Sequence, residues 1–422
     1  MVGGGVAGVS AAIKLQGSAN VTLCESSSKL GGRINSRFDK LTGDSIDNGQ
    51  HLLIGAYTSF LEMMSITNSQ SNLKYYDQFK IPYYSKNQNF TLDATKIKGD
   101  LGLLKALWDL PLPKKHLRKM LRFIIKIKLG FVRYESLTCK EFLKKYNQND
   151  SVINIFWEPL ILATLNTPVD TASAELFVNV LKMGFFANSK KRQFILPNVG
   201  LSELMINSQK YLDNKINLKL KTTCTAIAYN NEKVSAKING VEIEYDKIIL
   251  ALPIRKSASL LKNEMLSEIS NKLSSRAIIS VYLWYDKCFF EQDFAAFLGT
   301  NIQWVFNKRK IGFLEGFDKF PEYLSITISA ADSLIRKSSK EIAEICDLEL
   351  KSIFHDAEKA KLMQFKVIKE RFATFDATVE NQIIRKNLPS VHPKISFVGD
   401  WTYSDFPSTI EGAARSGENI KI

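Results

Sequence analysis

The opening MVGGGVAGVSAA constrains this chain more than any other stretch, because Gly3, Gly5 and Gly8 stand in the spacing G-x-G-x-x-G. Glycines so placed allow a tight turn, a close backbone approach to a pyrophosphate, and tight packing of the following helix on a sheet. Val6 to Leu15 has the small and apolar residues of that helix, and VTLCE then reads as a β-rich run, Val21 to Cys24, ending in Glu25. An acidic residue about 20 positions after the first glycine is placed to accept hydrogen bonds from a ribose. The helix N-terminus favours the phosphate charge. A glycine-rich turn beside a surface glutamate is the bland alternative, and it leaves this order of elements unexplained. Only Met1 and Val2 precede the first glycine, whereas a strand there normally has about five residues. The chain therefore reads as beginning several residues late, and the sheet is expected to be weakest where a nucleotide docks.

Two further segments extend the pattern. SKLGGRINSRF puts Gly31, Gly32 and Arg33 just after the acidic residue, and small residues with a fixed cation suit a loop beside phosphates. Toward the other end, KISFVGDW reads as a buried strand, Ile395 to Val398, ending in Gly399 and Asp400. FPSTIEGAARSG follows as a turn, a Ser or Thr cap, and a helix start over Thr409, Ile410 and Ala413. The partial positive charge of that helix start suits the anion of a reduced flavin. In this order the three pieces resemble the flavin-containing amine oxidase and phytoene desaturase superfamily, in which FAD lies extended between the N-terminal and C-terminal segments. The resemblance implies FAD rather than NAD.

A finer resemblance covers nearly the whole chain. DNGQHLLIGAY (Asp47 to Tyr57), WEPLILATLNTPVDTASAELF (Trp157 to Phe177), LPNVGLSEL (Leu196 to Leu204), ERFATF (Glu370 to Phe375) and GDWTYSDFPSTIEGAARSG look like the squalene-associated desaturase branch, the hydroxysqualene dehydroxylases. The departures lie at the ends: the short first strand, and Ile422 where the last helix would normally run on. The implied fold is α/β, an FAD-binding Rossmann-like (GR2-type) domain with a discontinuous α+β substrate domain, amine-oxidase-like. The FAD domain would take residues 1–75, 195–255 and 365–422, and the substrate domain 76–194 and 256–364. Gly3, Gly5, Gly8, Glu25, Gly32, Arg33, Gly399, Asp400, Thr409 and Ile410 would hold the cofactor. Cys224 and Ile227 match a family position where backbone groups hold the adenine, although as side chains they read equally as strand core.

The implied reaction is reductive loss of hydroxyl from hydroxysqualene, giving squalene in triterpenoid (hopanoid) synthesis, with hydride from N5 of reduced FAD. Ionising a carbon–oxygen bond requires an acid or a hydrogen-bond donor at the leaving oxygen. The resulting cation requires a dry, aromatic-lined site. No metal is required. His51 either donates to the leaving hydroxyl or is a hydrogen-bonded histidine that positions its loop. Asp47 and Asn48 read as turn-forming. Trp157, Asn166 and Thr167 are candidates for the substrate or flavin face, with Trp157 equally a core residue. No second nucleotide motif is visible for NADPH, so an external electron donor, a reductase or a quinone, is expected. A carotenoid-type desaturase, an amine oxidase and a non-catalytic lipid-binding partner are the rival readings.

Composition bears on partners. The net charge of +14 among 422 residues points either to an acidic partner or to a lysine-rich solvated surface. PKKHLRKMLRFIIKIKLGFVR, Pro113 to Arg133, has Lys114, Arg118, Arg122 and Lys126 on one helical face and Leu117, Met120, Leu121, Ile124 and Phe131 around the other. It reads either as a surface helix packed on its own domain or as an interfacial helix on anionic lipid. No nucleic-acid module is visible, and acyl chains suit its aliphatic residues better than phosphates. Five scattered cysteines suggest no disulfide framework and a reducing compartment. No apolar run reaches a membrane span and no signal peptide is read. The expected location is cytoplasmic, peripheral to the inner face of a membrane.

Overall fold

The apolar runs that flank the glycine turn converge on one parallel sheet. The structure is a computed structural model and describes residues 1–97 and 99–421. Asn217–Lys219 pairs with Thr22–Cys24, and Ile248–Leu250 pairs with Ile395–Phe397. Val2 joins the two pairs, bridging in parallel to Cys24 on one side and Leu250 on the other. Its N–H donates to Ile249 O at 2.9 Å and its carbonyl accepts from Ala251 N at 2.8 Å. One residue thus spans the middle of the sheet.

Helix Val6–Leu15 covers this sheet and is covered in turn by helix Ile410–Glu418. Small residues set the contact. A Cβ on Gly8 would lie 2.0 Å from Gly3 O, and one on Gly417 would lie 2.3 Å from Ala7 O. Ser10 Oγ donates to Ala414 O at 2.7 Å across 404 residues of sequence. Both ends of the chain therefore close one unit. A meander of Cys224–Tyr229, Val234–Ile238 and Val241–Tyr245 lies beside it. Its hairpin turn has Asn239 and Gly240 at φ 47° and 88°, the left-handed pair that a two-residue turn requires.

A second, seven-stranded sheet runs in the order Leu362–Phe375, Ser275–Tyr285, Glu322–Ile328, Trp304–Asn307, Phe294–Phe297, Lys80–Tyr84, Phe90–Asp93. Only the pairing of Phe294–Phe297 with Lys80–Tyr84 is parallel. The edge strand Leu362–Phe375 runs through position 365, so residues on both sides of that expected boundary share this sheet. One face buries Ile279, Val281, Leu283, Leu324 and Ile326 beneath helix Ser339–Ile353, which starts in a capping box of Ser338 and Glu341. The other face looks toward a helical layer of residues 114–185.

Helix Lys114–Lys128 belongs to that layer. Leu117, Met120, Phe123, Ile124 and Ile127 are buried in the core of the molecule, so most of its apolar face is spent on internal packing. Ile125, Leu129 and Phe131 remain exposed among the basic residues, Phe131 at 73%.

Candidate functional site

A cavity of about 640 Å³ runs between the two sheets. At one end its wall is backbone and short polar side chains: Gly3, Gly5, Glu25, Gly31 to Arg33, Gly399, Asp400 and Ser408 to Ile410. Glu25 braces the glycine turn, accepting Gly4 N–H at 2.7 Å and Ser27 N–H at 2.8 Å. Arg33 links the N-terminal and C-terminal segments through Asp400 at 2.6 Å and Ala373 O at 3.0 Å. Burial pushes the Asp400 carboxyl up, but Arg33 and the Ser408 hydroxyl outweigh it and hold the carboxyl below its ordinary range. The charge of Asp400 raises Arg33 in return.

This end has the shape of a dinucleotide cradle. A Cβ on Gly5 would meet nothing of the protein closer than Gly32 Cα at 4.0 Å, so the bare backbone leaves room for a ligand. Helix Val6–Leu15 and helix Ile410–Glu418 both begin at the wall and leave first-turn N–H groups without intrahelical acceptors. Those donors, with Arg33, match the pyrophosphate and flavin of FAD.

The middle of the cavity is the loop 47–51. Asp47 does more than form a turn: it ends strand Asp44–Asp47, accepts Leu201 N–H at 2.8 Å, and pairs with Lys308 at 2.9 Å. Lys308 is fully buried, also donates to Gln50 Oε1 at 2.9 Å, and lies over the Phe313 ring. Its neighbour Arg309 takes Asp44 in a two-pronged contact at 2.5 and 2.9 Å. Buried ion pairs of this kind need their full set of hydrogen bonds to survive desolvation, and here they bolt the loop to the turn Lys308–Ile311. His51 lines the cavity beyond, with no side-chain partner among the described residues. Burial lowers its pKa to about 4, with Arg33 and Lys308 adding to burial against Asp47. The imidazole is neutral at pH 7.

At the far end the wall is greasy. The seven-stranded sheet presents Ile278 and Ser280, then Thr327 and Ser329, then Trp304 and Phe306, then Ile81 and Tyr83, and finally Leu92. The hydroxyls of Ser280, Thr327 and Ser329 lie at the near side, and the remaining strands present large apolar and aromatic side chains. Four strand spacings separate the strand of Ser280 from that of Tyr83, about 19 Å at about 4.8 Å each. Phe156, Leu160, Phe79, Phe185 and Phe194 close the opposite side, with Phe79 stacked on Phe194 at 5.0 Å.

The predicted site residues divide. Gly3, Gly5, Glu25, Gly32, Arg33, His51, Asn166, Gly399, Asp400, Thr409 and Ile410 all line this cavity. Asn166 caps helix Glu158–Leu165 at φ 52°, donates to Thr374 Oγ1 at 2.9 Å and accepts Ala330 N–H at 2.7 Å. Gly8 stands behind the wall as a packing residue. Trp157, Thr167 and Cys224 stand outside it. Trp157 is fully buried among the helices, its indole donating to Gln148 Oε1 at 3.1 Å. The Thr167 hydroxyl donates to Asp376 at 2.8 Å and receives Ala377 N–H at 2.9 Å, which ties two loops together. Cys224 packs with Val2, Cys24 and Val234 in the core under the meander. Sequence reasoning missed Lys308, Arg309 and the aromatic wall, because NKRKI carries no local sign of burial and the wall residues meet only through strand order.

Fold and cavity together define a flavoprotein: a dinucleotide cradle closed by both ends of the chain, opening onto an apolar tunnel. The family profile described as flavin containing amine oxidoreductase matches residues 6–420, and the chain belongs to that family. It is an FAD-dependent oxidoreductase with an amine-oxidase-like fold. It is similar to hydroxysqualene dehydroxylase of Rhodopseudomonas palustris, 24% identical over 99% of this chain and 96% of the relative. It is also similar to 15-cis-phytoene desaturase of an Oncidium hybrid cultivar, 23% identical over 99% of this chain and 76% of that one. Cyclohexylamine oxidase from Brevibacterium oxydans shares the fold at a TM-score of 0.72, with 13% identity over 99% of this chain and 96% of the other.

Proposed function

We propose that this enzyme removes the hydroxyl of hydroxysqualene reductively, giving squalene. The observation that carries the reading is the cavity itself, which follows the sheet face for about 19 Å, from Ser280, Thr327 and Ser329 beside the flavin cradle to Trp304, Phe306 and Tyr83 at its far end. Such a tunnel accepts a long isoprenoid arm and keeps water from a cation. Likeness to the dehydroxylases over nearly the full chain supports the same substrate. Gly3, Gly5, Glu25, Gly32, Arg33, Gly399, Asp400, Thr409 and Ile410, which line the cradle, would hold FAD, which when reduced would supply two electrons as hydride. The carbon–oxygen bond breaks, a carbon–hydrogen bond forms with the hydride, and the hydroxyl leaves as water with a proton drawn ultimately from bulk solvent. His51, neutral and unpartnered, offers the departing oxygen a hydrogen bond rather than a full proton. Lys308 and Asp47 hold its loop. The domain division, a cofactor unit from both ends and the middle of the chain and a substrate unit from the rest, belongs to the same reading.

The substrate is almost insoluble in water, so it has to be drawn from a bilayer. Among the described residues no helix is long and apolar enough to cross one. Ile125, Leu129 and Phe131, set among Lys115, Lys119, Lys126 and Lys128, suit peripheral docking on an anionic leaflet. An external donor supplies the electrons.

Anaerobic incubation of the reduced holoenzyme with hydroxysqualene in liposomes tests the reading. Squalene is the expected product, and phytoene with an electron acceptor is expected to remain unchanged. Desaturation of phytoene with no turnover of hydroxysqualene overturns it in favour of the desaturase reading.

A further inference from the structure

Arg385 lies outside the cavity wall, on helix Val379–Lys386, and is 2% exposed. Two of its three nitrogens converge on the segment after Gly399. Nε reaches Trp401 O at 3.2 Å, and Nη2 reaches Asp400 O at 3.1 Å, Phe406 O at 2.9 Å and Tyr403 O. Nη1 reaches Gln382 Oε1 at 3.0 Å, and Gln382 in turn donates to Ser404 O at 2.7 Å. The guanidinium rests on the ring of Phe375 at 3.9 Å. Among the described residues no carboxylate pairs with it directly; Asp400 and Asp405 are the acidic groups that bear on it. Burial lowers its pKa to about 10, which leaves it charged at neutral pH.

A buried cation without a paired anion is costly, and an apolar side chain of the same volume is usually the more stable choice. The cost makes sense if the cation shapes what surrounds it. Four carbonyls of residues 400–406 point at one guanidinium, so this segment wraps around it. The residues at its ends, Gly399, Asp400 and Phe406 to Ile410, are the ones that line the cavity. The same wrapping delivers the Asp400 carboxylate to Arg33 and Ser408.

We propose that Arg385 is a positioning residue for the flavin: it is the template on which the C-terminal half of the cofactor cradle folds, and its charge lies behind that wall. The inference rests on the cofactor alone and is independent of the substrate. Only the planar, forked guanidinium can serve this many carbonyls at once; an ammonium cannot. A positive charge behind the wall also favours the added negative charge of reduced flavin.

The test uses purified holoenzyme and reads three quantities: the rate of flavin release, the flavin midpoint potential and the melting temperature. Arg385→Met is expected to release flavin roughly tenfold faster or more and to shift the potential to more negative values. Arg385→Lys is expected to keep the parent potential more nearly while still releasing flavin faster. Parent-like release and potential in Arg385→Met overturn the proposal, as does a lowered melting temperature with both flavin readouts unmoved. If Arg385→Met does not fold, Gln382→Leu decides: faster flavin release supports the template, and unchanged release defeats it.

Discussion

The two ends of the cavity are built on opposite principles. The cofactor end depends on atoms that are missing: a Cβ on Gly5 would meet no protein atom closer than 4.0 Å, while Gly32, at φ 59°, lets its backbone come close to Gly5, and helix N–H groups do the recognising. The apolar end depends on atoms that are present: Trp304, Phe306, Tyr83 and Leu92 fill a sheet face strand by strand. Adding a methyl harms the first; removing a side chain harms the second. The loop 47–51 stands between them, held by ion pairs rather than by shape.

That contrast can be broken at its hinge. Lys308→Ala leaves Asp47 buried and unpaired, and about 3–5 kcal/mol of stability should go, read as a lower denaturation midpoint together with loss of both flavin and turnover. Replacing the pair, Lys308→Met with Asp47→Leu, should restore much of that midpoint; an undiminished midpoint in the single variant means the loop is held some other way. Gly5→Ala sharpens the contrast from the cofactor side. The new methyl clashes with no protein atom, so the flavin-free protein should melt as before, while FAD binding weakens by about 1–3 kcal/mol, the usual cost of overfilling a packed site. Equal melting and equal FAD affinity would show that no ligand atom comes near Gly5.

Trp304→Ala probes the opposite end. Flavin content and spectrum should match the parent, and kcat/KM for the isoprenoid should fall by the burial lost, about 1.5–3 kcal/mol. Loss of flavin instead would place the cofactor across the aromatic wall. The effect of His51 is the smallest at neutral pH and grows on acidification. The unfolded chain binds a proton near pH 6.5 that the folded imidazole refuses until about pH 4, so the parent should lose stability as pH falls through that interval. His51→Gln should flatten this part of a melting-temperature profile; an unchanged slope assigns the acid sensitivity elsewhere.

The same contrast explains what could be read from the chain before its structure. The turn at Gly3 to Gly8, the acidic Glu25, the Gly32–Arg33 loop and the Thr409 cap are local patterns whose spacing is imposed by backbone geometry, and all lie together in the fold. The aromatic wall left no such trace, since Ile81 and Trp304 become near neighbours only through a parallel pairing of distant strands. Trp157 and Thr167 sit in a conspicuous motif, yet their side chains are consumed by Gln148 and Asp376. The run from Pro113 to Arg133 shows a helical apolar face, but periodicity cannot say what covers it, and here the molecule's own core covers most of it.

The packing of helix Val6–Leu15 against Ile410–Glu418 has a consequence for biogenesis. A ribosome adding about 5–20 residues per second needs on the order of 20–80 s to deliver Ala414 to its partner Ser10, 404 residues earlier. Throughout that time the first-made segment is without its lid. Flavin capture is thereby deferred until helix Ile410–Glu418 has been made, and the nascent polypeptide has to be shielded from aggregation in the meantime.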